Sequence, residues 1–337
     1  MATLGATKVT LADWAKTLDP SGRTAKIVEM LAQTNELFTD MPMVMGNLPT
    51  GHRTTIRTGL PTAIFRKLYQ GVPTSKSTRA QVTESIGMLE TRCEIDKDLA
   101  ELNGNTAEFR LGEATPFMEA MAQTAATTVI YGDTDTDPEK FMGLAPRFSS
   151  LSAVNGQNII SGGGSGSDQS SIWLICWGED TCHGIFPKGS MAGIQHEDLG
   201  LADAFDADNN RYRAYMDHWQ LKLGMVVRDW RYVVRIANID MTQLVAEATD
   251  ADLVKLMIRA MHRLPSQALG RCKWYMNRRM LEWLDIQSAG KSASGSVVKT
   301  NVVFDNQNAA QGKMVQSFRG VPIGVCDAIL NTEAAVS

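Results

Sequence analysis

Hydrophobic and polar positions along this chain follow two different periods, and the change of period divides it. From about residue 49 to 96 the pattern is that of β-structure. Leu89, Thr91, Cys93 and Ile95 alternate with Glu90, Arg92, Glu94 and Asp96, the period of a half-buried strand. An earlier arm over residues 54–69 alternates less regularly, and the polar, turn-rich residues 70–79 separate the two. The pattern predicts a long two-stranded hairpin with a broad tip. Two strands alone bury little, so a hairpin of this length is expected to rest on another subunit.

Residues 1–48 read as an extended arm with short helices at most. Asp19-Pro20-Ser21-Gly22 is a turn, and Ile27, Met30, Leu31 and Leu37 give a modest helical pattern. Met41-Pro42-Met43-Val44-Met45-Gly46 is apolar but broken by Pro and Gly. It reads as a strap lying on its own chain or on a neighbour.

Beyond the hairpin the period becomes helical. Phe117, Met121, Ala125 and Val129 recur every four residues. Thr115-Pro116 suits an N-cap and first helical residue, and a start near Asn105 with Pro116 as a kink fits the same spacing. Gly132 ends the helix, and Asp133-Thr134-Asp135-Thr136-Asp137-Pro138 turns the chain.

A second part begins near residue 150. Residues 161–167 form a Gly/Ser loop, and Ile172-Trp173-Leu174-Ile175-Cys176-Trp177 is a continuous apolar run fit for a buried strand. Trp219, Leu221 and Leu223 alternate with His218, Gln220 and Lys222. Trp230, Tyr232, Val234 and Ile236 alternate with Arg231, Val233, Arg235 and Ala237, so two adjoining strands around Gly224 are predicted. Leu253, Leu256, Met257, Ala260, Met261 and Leu264 share a helical stripe opposite Lys255, Arg259 and Arg263, stopped by Pro265. A strand over 272–276 runs into Asn277, a good N-cap, and a helix from Arg278 to about Gln287. Residues 288–296 are a small-residue loop, and 318–327 close the chain as a strand and turn. The class is α+β, in two parts, with an arm and a hairpin projecting.

Composition sharpens this picture. At 337 residues, 44% hydrophobic and 21% charged, the chain can bury a large core. Lys and Arg number 33 against 37 Asp and Glu, a formal net charge of −4, which speaks against a dedicated duplex-DNA binder and against broad attraction to anionic lipid. No apolar run approaches the ~18 residues of a membrane-spanning helix, and residues 1–5 lack the charged and apolar regions of a secretory signal. Five scattered cysteines, Cys93, Cys176, Cys182, Cys272 and Cys326, suit reduced thiols rather than a disulfide framework. Eighteen methionines suit irregular packing or re-forming interfaces.

Motifs for catalysis are missing. Asp133, Asp135 and Asp137 open like a calcium loop, but Pro138 and Leu144 stand where Gly and Glu are needed. The glycine loop lacks the Lys-Ser/Thr of a phosphate loop. Cys176 and Cys182-His183 have no second pair at zinc spacing, His196-Glu197 lacks the following His of a metalloprotease helix, and no Gly-x-Ser-x-Gly elbow occurs. Arg271, Lys273, Arg278 and Arg279, and separately Arg228, Arg231 and Arg235, could meet phosphate or form a solvated, ion-paired face. No catalytic, metal-binding or cofactor-binding residue is expected.

The order of these parts resembles the major capsid proteins of tailed bacteriophages, of the Hong Kong ninety-seven type, a fold shared with herpesvirus shells and encapsulins. The pieces that carry the resemblance are Trp274-Tyr275-Met276-Asn277-Arg278-Arg279, Phe318-Arg319-Gly320-Val321-Pro322-Ile323 with Cys326-Asp327, and Asp229-Trp230-Arg231-Tyr232-Val233-Val234-Arg235-Ile236-Ala237-Asn238. It implies an N-terminal arm over 1–48, an extended loop over 49–96 lying on a neighbour, and a peripheral domain with its spine helix over 97–150. It further implies a mixed α/β axial domain over 151–310 and a C-terminal strand, 311–337, returning to the peripheral domain.

The implied function is mechanical: pentamers and hexamers closing into an icosahedral head around packaged DNA, without enzyme activity. Candidate intersubunit contacts are Tyr69, Gln70, Val72, Lys76 and Arg79 in the hairpin, with Met41, Met43 and Met45 in the strap. The hairpin starts near residue 49, which leaves no room for a built-in scaffolding segment, so a separate scaffolding protein is implied, with a portal and a cementing protein on the outer surface. Contact with DNA on the inner surface would be nonspecific, and the particle would be assembled in the bacterial host cytoplasm. Crosslinking of Lys67 or Lys76 to Asn301, Asn306 or Asn308, as in some relatives, needs a catalytic carboxylate that the sequence does not place. An encapsulin-like compartment and a soluble hydrolase are the alternatives.

Overall fold

A computed structural model describes residues 33–102, 104, 106–206, 208–245, 252–266, 270–290, 298–304 and 312–337. The turn predicted at Asp19, the helical pattern at Ile27, Met30 and Leu31, the loop over 291–296, and Asn306 and Asn308 lie outside the described residues.

The body is organised around one strand. In β5 (Gln169–Trp177) all nine residues are buried, as its unbroken apolar run requires of a strand covered on both faces. It lies between β9 (Val233–Asp240) and β10 (Arg271–Met276), antiparallel to both. The pleat splits its side chains between two cores. Trp173, Ile175 and Trp177 join the cluster with Val129, Phe148, Tyr275 and Cys326. Ile172 and Leu174 join Val234, Ile236, Trp274 and Met276 on the other face.

Two helices cover that second face. These are α6 (Leu253–Met261), whose side chain cap is Asp252, and α7 (Arg278–Gly290), started by Asn277 Oδ1 accepting the Met280 N–H at 2.9 Å. Beyond β10 the sheet continues through β13 (Val321–Val325), β12 (Gly312–Phe318) and β11 (Val298–Phe304).

On the other side, a long ribbon grows out of the sheet. The 19-residue β3 (Thr78–Asp96) is antiparallel to β2 (Gly51–Gly59) along its first part and to β8 (Arg211–Val227) from Ile86 to Asp96. The β8 strand reaches the body through β6 (Cys182–Phe186), on which β1 (Met43–Met45) lies in parallel, and β7 (Ile194–Phe205) is the outer neighbour of β8. The short β4 (Ile159–Ser161) pairs with β9. A long helix, α3 (Thr106–Tyr131), lies against β3 and β8, burying Phe109, Ala114 and Met121 on Cys93, Ile95 and Trp219. The described residues also hold four shorter α-helices, α1 (Leu37–Asp40), α2 (Lys97–Glu101), α4 (Leu144–Arg147) and α5 (Met241–Val245), and 3-10 turns at Val154–Asn158 and Trp230–Tyr232.

Several expectations change. The long helix starts at Thr106 and carries Pro116 inside it, so the early start is the one adopted. The first arm of the hairpin stops at Gly59, and residues 60–77 form no strand. The strand predicted from Trp230 begins at Val233, because Asp229 accepts the Arg231 N–H and turns Trp230–Tyr232 into a single 3-10 turn. The helix predicted to stop at Pro265 ends at Met261. The expectation of five reduced thiols is also corrected: antiparallel pairing sets Cys176 opposite Cys272, and the two are joined as a disulfide.

Candidate functional site

The hairpin tip is where the chain leaves apolar surface uncovered. Leu60, Ile64, Phe65, Leu68, Tyr69 and Val72 are all exposed, with Phe65 and Tyr69 fully so. Few bonds cross the tip: Ser75 Oγ donates to the Thr62 carbonyl at 3.1 Å, and Thr58 and Thr78 hydroxyls meet at 3.0 Å. Tyr69 has φ 63°, the left-handed region that a bulky side chain enters only at a cost, in a turn closed by the Gln70 N–H to the Lys67 carbonyl. An exposed apolar patch of this kind marks an interaction surface. All five hairpin residues singled out from sequence, Tyr69, Gln70, Val72, Lys76 and Arg79, are exposed here.

The root of the hairpin is rigid by contrast. Glu84 of β3 is buried and accepts two 2.7 Å hydrogen bonds from the fork of Arg147, which also donates to the Met142 and Gly143 carbonyls. His52, opposite Glu84 in the register, meets His183 of β6 edge-on, with ring centroids 6.0 Å apart. Burial, then the neighbouring His52, pushes the His183 imidazole down to about 4, and burial with Arg228 also lowers His52.

The methionine strap divides. Met41 is buried in its own chain's core, which corrects its expected role as a contact to a neighbour. The reason is Gly184: a Cβ there would stand 2.5 Å from the Met43 sulfur and 2.9 Å from the Met41 methyl. Met43 is half-buried through its pairing with β6, and Met45 is exposed.

A second surface was not foreseen. Between α3, β7 and β8 lies a groove of about 480 Å³, rimmed by Leu111, Met118 and Ile194, with Trp219 at its floor. His196 stacks on Trp219 at 5.2 Å and meets Asp217 at 2.9 Å. Arg110 is held between Asp198 at 2.8 Å and Asp217 at 3.0 Å; its hydrogen bond keeps the Asp198 carboxyl below its ordinary range. The β7 strand escaped sequence reading because its pairing shifts between Asp198 and Gly200, which breaks the alternation.

The other residues that the sequence offers for chemistry are engaged in local contacts. The Asp133 side chain caps a turn by accepting the Asp135 N–H at 3.0 Å. Burial raises the thiols of Cys93 and Cys326 to about 11 and of Cys182 to about 12, so none is a thiolate at neutral pH. Arg235 is buried against Glu333 at 2.8 Å, and Arg228 and Arg231 pair with Asp180 and Asp229. Among the described residues no group of three His, Cys, Asp or Glu is placed to hold a metal ion, and no helix is long and apolar enough to cross a membrane.

A mixed sheet carrying a long helix and a projecting hairpin with an uncovered apolar tip defines the class: a shell subunit with the fold of tailed-phage capsid proteins. The chain belongs to the family of the major capsid protein GP7, whose family model matches residues 19–337. Among solved structures it resembles a chain of bacteriophage Epsilon15, at 37% identity and TM-score 0.77, covering 100% of this chain and 99% of that one. It also matches the capsid of a native GTA particle at 11% identity, covering 70% of this chain and 99% of that one, with TM-score 0.46. The holo-SrpI encapsulin complex of Synechococcus elongatus PCC 7942 matches at 10% identity, 70% and 97% coverage and TM-score 0.44. No curated protein matches the chain in sequence.

Proposed function

We propose that this major capsid protein assembles as pentamers and hexamers into an icosahedral, non-enzymatic head that encloses packaged DNA. The observation that carries this reading is the hairpin tip, whose six large apolar side chains stand in solvent. A surface the chain cannot cover itself is stabilised by copies lying on one another, which spreads an obligate interface over many partners.

The division into an arm (1–48), extended loop (49–96), peripheral domain (97–150), axial domain (151–310) and closing C-terminal strand (311–337) fits this reading. It is supported by α3 lying over β3 and β8, and by the tail residue Glu333 meeting Tyr131 at the end of that helix. A separate scaffolding protein, a portal and a cementing protein complete the assembly, which takes place in the bacterial host cytoplasm. Contact with DNA on the inner surface is nonspecific, in keeping with the net charge of −4.

Negative-stain electron microscopy of the full-length chain, alone and co-expressed with its scaffolding protein, tests the reading. Uniform closed shells are expected. A monodisperse monomer or dimer under both conditions overturns it.

A further inference from the structure

One bond in this chain does not suit the compartment proposed for its assembly. Cys176 of β5 and Cys272 of β10 are joined as a disulfide. A bacterial cytoplasm keeps protein cysteines reduced by a pool of small thiols. The other three cysteines, Cys93, Cys182 and Cys326, are buried and unbridged.

The fold has the means to form without the bond. Residues 271–275 of β10 pair in register with residues 177–173 of β5. Across that pair Trp177 Nε1 donates to the Tyr275 hydroxyl at 2.7 Å, and the same hydroxyl donates to Asp40 at 2.8 Å. Beside the two sulfurs, Ile172, Leu174, Trp274 and Met276 are buried in one core. A reduced cysteine behaves as a small apolar residue, so two thiols at 176 and 272 fit these surroundings. The ladder then holds the sulfurs opposite each other before any oxidant arrives.

The pair is reached from one side. Cys176 is fully buried, whereas Cys272 is partly exposed. A small-molecule disulfide therefore meets Cys272 first. Cys272 gives up its proton, its thiolate attacks one sulfur of that reagent, and one small thiolate leaves. Cys176 then gives up its proton, and its thiolate displaces the second small thiolate from the Cys272 sulfur. One S–S bond is exchanged for another, and the reagent, reduced by two electrons, leaves as two thiols carrying the two protons. Burial pushes the thiols of Cys93 and Cys326 up to about 11 and of Cys182 up to about 12, which keeps these three out of the exchange.

We propose that Cys176 and Cys272 stay reduced while the chain folds and assembles in the cytoplasm, and that their bond closes when the finished particle meets an oxidising medium. The inference rests on the capsid reading and adds a chemical step after assembly. The bond ties residues 96 apart, closing a loop that holds β6 to β9, α5 and α6. Closing so long a loop strongly limits the unfolded chain, so the finished body resists unfolding better than the assembling one.

The test counts thiols in the full-length chain. Cells making shells are quenched directly in acid, and the chain is unfolded, alkylated with N-ethylmaleimide and weighed. All five cysteines are expected to be alkylated in this sample, and only Cys93, Cys182 and Cys326 after purified shells have stood in oxidised glutathione. Reduction with dithiothreitol is expected to lower the thermal midpoint of the oxidised shells by roughly 5–10 °C. The same treatment should leave Cys272→Ala shells unchanged. Three alkylated cysteines straight from the cell overturn the staging. Five after oxidised glutathione, or glutathione left on Cys272 without a bridge, overturn the bond itself. Failure of the chain to form any shell overturns instead the capsid reading, while the same counts on the unassembled chain still decide whether the bond closes inside or outside the cell.

Discussion

Arg147 grips Glu84 through two parallel hydrogen bonds of 2.7 Å, at the point where the hairpin leaves the sheet. The pair fixes the root of an element whose far end has almost no internal support. Only a planar fork can make both bonds to one carboxylate. With Glu84 buried, Arg147→Met strands its charge and is expected to cost about 3 kcal/mol. Arg147→Lys should recover only part of that. Urea unfolding of the isolated subunit checks both, and a loss below about 0.5 kcal/mol for the methionine variant would show that the root is held by something else.

Removing the tip separates folding from assembly. Tyr69, Gln70, Val72, Lys76 and Arg79 contribute nothing to either main core. Deleting residues 70–79 is therefore expected to leave the thermal midpoint within a few degrees of the parent and to abolish closed shells. Sedimentation velocity and electron microscopy read the two effects independently. Normal shells from this deletion would remove the tip from the intersubunit contacts.

The C-terminal tail is expected to act as a lock. Glu333 accepts hydrogen bonds from Arg235 at 2.8 Å and from the Ser171 and Tyr131 hydroxyls at 2.5 Å, deep in the body. Burial first, and then the Glu333 carboxylate, hold the Tyr131 phenol protonated, well above its ordinary value. Glu333→Ala leaves Arg235 buried without a counter-charge, a loss of about 3–5 kcal/mol. Replacing both residues by leucine should cost less than the single change, because no orphan charge remains. A double-mutant cycle by chemical unfolding measures this, and additive single losses would rule out direct coupling.

What the sequence made legible depends on how completely each element's surroundings are written in its own residues. The β5 strand is covered on both faces by the chain itself, so an unbroken apolar run identified it. The same holds for α6, whose apolar stripe meets a single core, and for Asn277, whose cap is local. Pro116 was ambiguous because a proline favours a first turn and disrupts a helix interior, so local preference pointed to a later start than the one adopted at Thr106. The pairing of Cys176 with Cys272 depends on a register set by strands 96 residues apart, and no local signal encodes it. Met41 was misread because its partner is a missing side chain, at Gly184. The hairpin tip was legible as an exposed projection for the opposite reason, since its residues find no partner surface in their own chain. The groove between α3 and β7 was not legible, because β7 is polar, shifted in register and paired along one side only.

The His52–His183 contact gives the hairpin root a dependence on acid. His183 is buried and its imidazole is held down at about 4 against an ordinary 6.5, by burial first and then by His52; Arg228 lowers it further, while Asp180 and a backbone contact with Gly178 oppose the shift. Above pH 6.5 the ring is neutral in both folded and unfolded chains and stability is unaffected. As pH falls from 6.5 towards 4, the unfolded chain takes up the proton and the folded one does not, so stability is lost across that window. The full shift corresponds to about 3 kcal/mol. His183→Leu removes the proton-binding site and should flatten the profile relative to the unaltered chain between pH 6.5 and 4, leaving the carboxylate-driven loss at lower pH in place. Urea midpoints at half-unit intervals measure the difference between the two curves, and parallel curves through the window would assign the acid sensitivity to other groups.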